Sequence, residues 1–233
     1  METLKFNVEN CKRAANIHGQ RLNNKWYGMN NTNDFGCVAY LYKKYGYPST
    51  PEEFYKRYIN DDWTCYFSKE QGRTYQHLLQ KAKELRLKDG NRFPINVYWD
   101  FIGQKLFVDT FNGLVKESEV KKMLEESGFT VATATINEDK DLGIDLKVYK
   151  DNEFLCIVQV KPNTFFKGNN NESLINDRNS ALKKEKKSLS IYNVPTFYII
   201  YKKDDGEFIQ HNGKYCFKLK DLIDNNGYTK NII

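Results

Sequence analysis

Residues 143–161 read Gly143-Ile144-Asp145-Leu146-Lys147-Val148-Tyr149-Lys150-Asp151-Asn152-Glu153-Phe154-Leu155-Cys156-Ile157-Val158-Gln159-Val160-Lys161. Two runs rich in β-branched and aromatic residues flank the turn former Asp151-Asn152-Glu153, so the stretch predicts a β-hairpin. A three-residue loop sets Lys150 opposite Phe154, and counting on from there sets Asp145 opposite Gln159. Gln159 and Lys161 are two residues apart and share one strand face. That face then carries a carboxylate, an amide oxygen and an ammonium. Burying any one of them alone is costly, whereas grouping them around a divalent cation and a phosphate compensates each charge. On these three residues alone, a hairpin with ordinary polar side chains facing solvent stays open.

Working outward, Glu117 starts a helix over 117–127 with Val120, Met123 and Leu124 on one side, and Gly128 supplies the stop. Strands follow at 130–136, 144–149 and 154–160, then a basic helix over 180–189 and a strand over 196–201. Helix, three strands, helix, strand is the order of an α/β (α+β) unit, a mixed sheet flanked by helices. A hairpin and a short helical segment over 219–223 close the chain.

The first ninety residues predict helices. Thr50-Pro51-Glu52-Glu53 is a capping box with proline at the first helical position. Tyr75, Leu78, Leu79, Ala82 and Leu85 follow at helical spacing up to Gly90. Two aromatic and β-branched runs, 95–101 and 105–111, lie either side of Gly103 and predict two further strands. The chain therefore divides at 89–93 into a mainly helical N-terminal region, 1–90, and a core, 91–233. The pairs Asn23-Asn24 and Asn30-Asn31 mark a loop, where asparagines make turns or read adenine edges.

Composition narrows the function. The chain has 233 residues, 40% hydrophobic and 15% aromatic, which suits one globular domain or two small ones and argues against disorder. Its longest apolar stretches, 154–160 and 194–201, fall far short of the ~20 residues that cross a bilayer. The start of the chain lacks a basic region leading into an apolar one, so no secretory signal is expected. The 5 cysteines are scattered without a C-x-x-C pair, and they read as thiols of a cytoplasmic protein. Nucleotide-binding and serine-hydrolase motifs are missing, so no nucleotide cofactor is expected and any chemistry should rest on carboxylates, lysines and oxygen-bound metal. The window 161–203 holds nine basic and three acidic residues, an excess equal to the +6 of the whole chain. The positive charge is thus local, as a solvated helix face or as a surface for a polyanion.

With these residues in place, the sequence resembles the PD-(D/E)XK nuclease superfamily: Glu117 and Gly128 around the first helix, then Gly143-Ile144-Asp145, then Gln159-Val160-Lys161. It departs in having Gln159 where many members carry glutamate. Within the superfamily it looks most like a type II restriction endonuclease of the MjaI group, on Gly72-Arg73-Thr74-Tyr75, Asp109-Thr110-Phe111-Asn112-Gly113 and Gln159-Val160-Lys161-Pro162. The resemblance implies a Mg²⁺ held by Asp145, the Gln159 side-chain oxygen and the Val160 carbonyl, with Glu117 holding a water or a second ion. Lys161 would orient the attacking water and neutralise charge on the scissile phosphate. It further implies hydrolysis of double-stranded DNA to 5′-phosphates at a short palindromic site, CTAG being one guess, by a homodimer in a restriction-modification system. Lys167, Arg178, Lys183, Lys184 and Lys187 would track the DNA backbone, and Asn30, Asn31 and Arg73 are the candidates for DNA contact in the N-terminal region. Three rivals remain: a structure- or modification-specific nuclease of the same superfamily, as in repair or resolvase enzymes; a non-catalytic DNA-binding module; and a metabolic enzyme of unnamed substrate.

Overall fold

The computed structural model describes residues 4–26, 29, 41–42, 45–60, 75–165, 172–203, 206–210 and 216–218, with backbone only for 172–178. It divides into two compact units, Met1–Asn112 and Gly113–Ile233. Six α-helices and a five-stranded mixed sheet are present among these residues. No helix among them is long and apolar enough to cross a membrane.

The first unit is built from α1 (Val8–Trp26), α2 (Pro51–Asn60), α3 (Tyr75–Lys88) and α4 (Ile95–Gly103). The Thr50 cap forms as the sequence predicts, with the Glu53 N–H donating to Thr50 Oγ1 at 3.1 Å, but the return bond to Glu53 Oε2 comes from the Ser49 N–H, at 2.6 Å, one residue ahead of the cap. The two strands expected at 95–101 and 105–111 do not exist. Residues 95–103 are helical and run on through a π-helical turn, Gln104–Val108, into α5 (Asp109–Glu126). Every residue from Tyr98 to Gln104 is buried. The segment 95–103 is rich in β-branched and aromatic residues and exposes only Asn96, so its composition imitates a strand. Because α4 packs on α1 and α3, the chain divides between Asn112 and Gly113 and not at 89–93. Gly103 makes that packing possible. A Cβ there would lie 2.8 Å from Cys11 Sγ and 3.0 Å from the Phe6 ring. The apolar centre is aromatic, with Phe107 edge-on to Phe6, Tyr55 and Tyr58 at centroid distances of 5.5, 5.3 and 5.2 Å.

In the second unit the C-terminal part of α5 precedes β1 (Thr130–Thr133), β2 (Leu146–Lys150), β3 (Glu153–Pro162), α6 (Glu172–Tyr192), β4 (Thr196–Tyr201) and β5 (Cys216–Phe217). Sheet order follows chain order, and only β3 and β4 run parallel, the pair that α6 connects. Gly128, at φ +87°, ends α5 where expected. One face of the sheet packs Leu146, Val148, Val158, Val160 and Ile199 against Val120 of α5. On the other, Tyr198 and Ile200 pack against Ala181 of α6. β3 is buried on both faces from 157 to 160, with Val158 and Val160 in the α5-side cluster and Ile157 packed with Leu142, Ile144 and Tyr192. The segment 219–223 and the hairpin expected ahead of it lie largely outside the described residues.

A candidate active site on the β2–β3 hairpin

The hairpin turn holds two residues, not three. Asp151 and Asn152 both have positive φ, 51° and 66°, as a type I′ turn requires, and Lys150 pairs with Glu153. The register then shifts: Tyr149 pairs with Phe154, but Val148 pairs with Cys156, so Leu155 is an extra, bulged residue. The bulge restores from Val148 onward the register that the sequence predicts. Leu146 pairs with Val158, and continuing that register brings Asp145 beside Gln159.

Asp145 and Gln159 are buried, at 8% and 3% exposure. Asp145 Oδ2 accepts the Val160 N–H at 2.7 Å and the Lys161 ammonium at 3.0 Å. Neither bond uses Oδ1. Gln159 sits on the same strand face as Lys161 and has no hydrogen-bond partner among the described residues. Burial by itself pulls the Lys161 ammonium down, but Asp145 foremost, then Glu117 and Asp139, hold it above the usual lysine value. Glu117 is half-buried on α5 and its charge is felt at Lys161. Asp145, Gln159, Val160 and Lys161 are thus brought together as expected, with Glu117 in electrostatic range.

Of these groups, Gln159 and Lys161 border a cavity of about 210 Å³ that Asp139, Gly143, Ala181 and Lys184 also help to line. Gly143 is in the left-handed region at φ +66°, and a Cβ on it would meet Lys184 Cδ at 3.1 Å and Gln159 Nε2 at 3.4 Å. Glycine is therefore required here both for conformation and for space. Asp139 belongs to a π-helical turn, Glu138–Leu142, whose end Gly143 caps. Sequence reasoning missed Asp139; its only signal is the acidic cluster Glu138-Asp139-Lys140-Asp141 directly ahead of Gly143. Glu138 itself is taken up structurally. Its carboxylate accepts Lys147 Nζ at 2.9 Å, the Tyr192 hydroxyl at 2.7 Å and the Thr135 N–H at 2.7 Å.

The expected DNA contacts fare unevenly. Lys183 and Lys187 are exposed on α6, whereas Lys184, expected with them along the DNA backbone, is half-buried and lines the cavity. Arg178 is on α6, but its side chain is not described, and Asn30, Asn31, Arg73 and Lys167 lie outside the described residues.

As a metal site the donor set is all oxygen: one carboxylate with a free edge, an amide and a backbone carbonyl. Mg²⁺ is held in this way, by one or two carboxylates with waters and substrate phosphates completing its shell. No group of three or more His, Cys, Asp or Glu among the described residues is placed to hold a metal, so any ion here relies on neutral oxygens and on the substrate. No protein-family model, curated protein or solved structure matches this chain.

Proposed function

We propose that this protein is a Mg²⁺-dependent endonuclease that hydrolyses phosphodiester bonds in double-stranded DNA. The observation that carries the reading is the Lys161 ammonium 3.0 Å from Asp145 Oδ2, with the unpartnered Gln159 amide beside it at the mouth of a cavity. Asp145, Gln159 and the Val160 carbonyl are the residues to hold Mg²⁺, with Glu117 as an auxiliary carboxylate. When bound, the ion supplies Lewis-acid stabilisation of charge on the scissile phosphate. Lys161, held by Asp145, orients an incoming water, favours its hydroxide form and neutralises charge on the phosphate. The Val160 N–H bond to Asp145 locks the carboxylate's rotamer without occupying its second oxygen. Exposed Lys183 and Lys187 add salt-dependent, sequence-blind phosphate contacts.

The finer reading is a type II restriction endonuclease acting as a homodimer on a short palindrome such as CTAG, since a two-fold target is matched most simply by a two-fold protein. Base reading falls to the N-terminal region. The test is digestion of long double-stranded DNA by purified wild type and Lys161→Ala, each with Mg²⁺ or EDTA. Discrete fragments that require Mg²⁺ and are lost in the variant, by about 10²-fold or more in rate, support the proposal. Intact DNA in every lane overturns it.

A further inference from the structure

We propose that Lys184 is a second phosphate-binding residue of the site, directing its ammonium into the cavity beside Lys161 to hold a non-bridging oxygen of the scissile phosphodiester. The identity of the anion rests on the nuclease reading; the existence of an anion site between the two lysines does not.

The helix period separates Lys184 from its basic neighbours. Ala181, Lys184 and Ser188 recur on one side of α6, and Ala181 and Ser188 are buried at 8% and 1% exposure. Lys183, Lys186 and Lys187 are exposed. The stem of Lys184 crosses Gly143, where its Cδ would be only 3.1 Å from an added Cβ. The glycine that precedes the Asp145 motif by two residues is therefore also the floor over which a second lysine reaches the cavity.

Lys161 and Lys184 both line that cavity, against one carboxylate, Asp139, among its described lining residues. Asp145 pairs with Lys161 through one oxygen, and Asp141 and Glu117 act on the lysines from outside the lining. Burial pulls Lys184 below the usual lysine value, the charge on Lys161 pulls it further, and Asp139, Asp141 and Asp145 only partly offset this. An anion between the two ammoniums relieves both effects. Gln159 adds a donor: its amide is 3% exposed, lines this cavity and has no partner among the described residues, and with its oxygen assigned to the ion its Nε2, on the Gly143 side with Lys184, is left to donate to an anion.

The test compares Lys184→Ala, Lys184→Met, which keeps the apolar stem, and Lys187→Ala with wild type, after thermal unfolding shows which variants are folded. A labelled duplex is titrated in Ca²⁺ over a salt series, and cleavage is followed in Mg²⁺. Lys187→Ala should lower affinity and reduce the salt slope by about one. Lys184→Ala and Lys184→Met should instead lower kcat at saturating DNA by about 10²-fold. Wild-type kcat in both, or only the affinity loss seen for Lys187→Ala, overturns the inference. If wild type cuts no DNA, the nuclease reading fails, and the anion site is judged separately by NMR of the lysine εCH₂ groups during titration with inorganic phosphate. Joint shifts of Lys161 and Lys184 that exceed that of Lys186 support it; an unmoved Lys184 overturns it.

Discussion

Asp145 in the second unit and Asp100 in the first are buried to nearly the same extent, at 8% and 7% exposure, and their surroundings treat them in opposite ways. Asp145 stands just ahead of β2, where the Val160 N–H and the Lys161 ammonium both point at it. Asp100 lies inside α4, where every nearby backbone N–H is spent on the helix's own bonds. Its carboxylate has no hydrogen bond among the described residues. Burial pushes its carboxyl from 3.8 up to about 6, and the charge of Arg13 pulls it back only in part. A buried carboxylate is thus hydrogen-bonded where a strand margin offers it donors, and driven toward the neutral acid where a helix offers none.

The largest break in this comparison is Asp145→Ala. It leaves the Lys161 ammonium, its side chain 25% exposed, without its counter-charge, and removing one member of such a pair costs about 3–5 kcal/mol. Urea unfolding followed by circular dichroism should show the midpoint falling accordingly. An unchanged midpoint would mean that the pair contributes nothing to stability and is maintained for its chemistry alone.

Asp100→Asn should act in the other direction. Because the folded-state value lies above the ordinary 3.8, the stability linked to this group is fully present below about pH 3.8 and lost as pH rises through about 6. At pH 7.5 the ionised carboxylate therefore costs on the order of 3 kcal/mol, which the amide escapes. The variant should be more stable than wild type above pH 6, and the advantage should vanish near pH 4. Unfolding curves at the two pH values decide it, and a gain independent of pH would show that packing, not ionisation, is responsible.

The same two regions explain what the sequence reveals. The order of α5, β1 to β3, α6 and β4 was legible because each element carries its own signal: helix period with a glycine stop, or a short β-branched run. Residues 95–108 were misread because a largely buried helix rich in aromatic and β-branched residues has the composition of a strand. The juxtaposition of Asp145, Gln159 and Lys161 was predicted from a three-residue loop, yet the turn has two residues and Leu155 is bulged; two offsetting departures preserved the register. Alternation also protects the result, since a slip of one residue would have turned Gln159 and Lys161 to the α5 face. Asp139 and the inward turn of Lys184 were not legible. They depend on how a π-helical turn and a basic helix meet over Gly143, and no local period encodes that meeting.

The smallest expected effect concerns the clamp behind Asp139. Glu138 accepts bonds from Lys147 on β2 and from the Tyr192 hydroxyl at the end of α6, so it ties the π-helical turn to both. Burial alone would raise the Glu138 carboxyl, but the bonds from Lys147, the Thr135 N–H and Tyr192 outweigh it and hold the group at about 2, against an ordinary 4.5. A depressed carboxylate stabilises the fold above about pH 4.5, and that contribution is lost as pH falls toward 2. Tyr192→Phe removes one charge-assisted bond and should cost about 1.5 kcal/mol at pH 7, with the difference from wild type almost unchanged at pH 4 and narrowing only as pH falls toward 2, where Glu138 protonates in the folded state. Parallel unfolding curves from pH 7 down to about pH 2 measure this. Equal stability at pH 7 would place Tyr192 outside the clamp and leave Lys147 as the group that fixes the turn bearing Asp139.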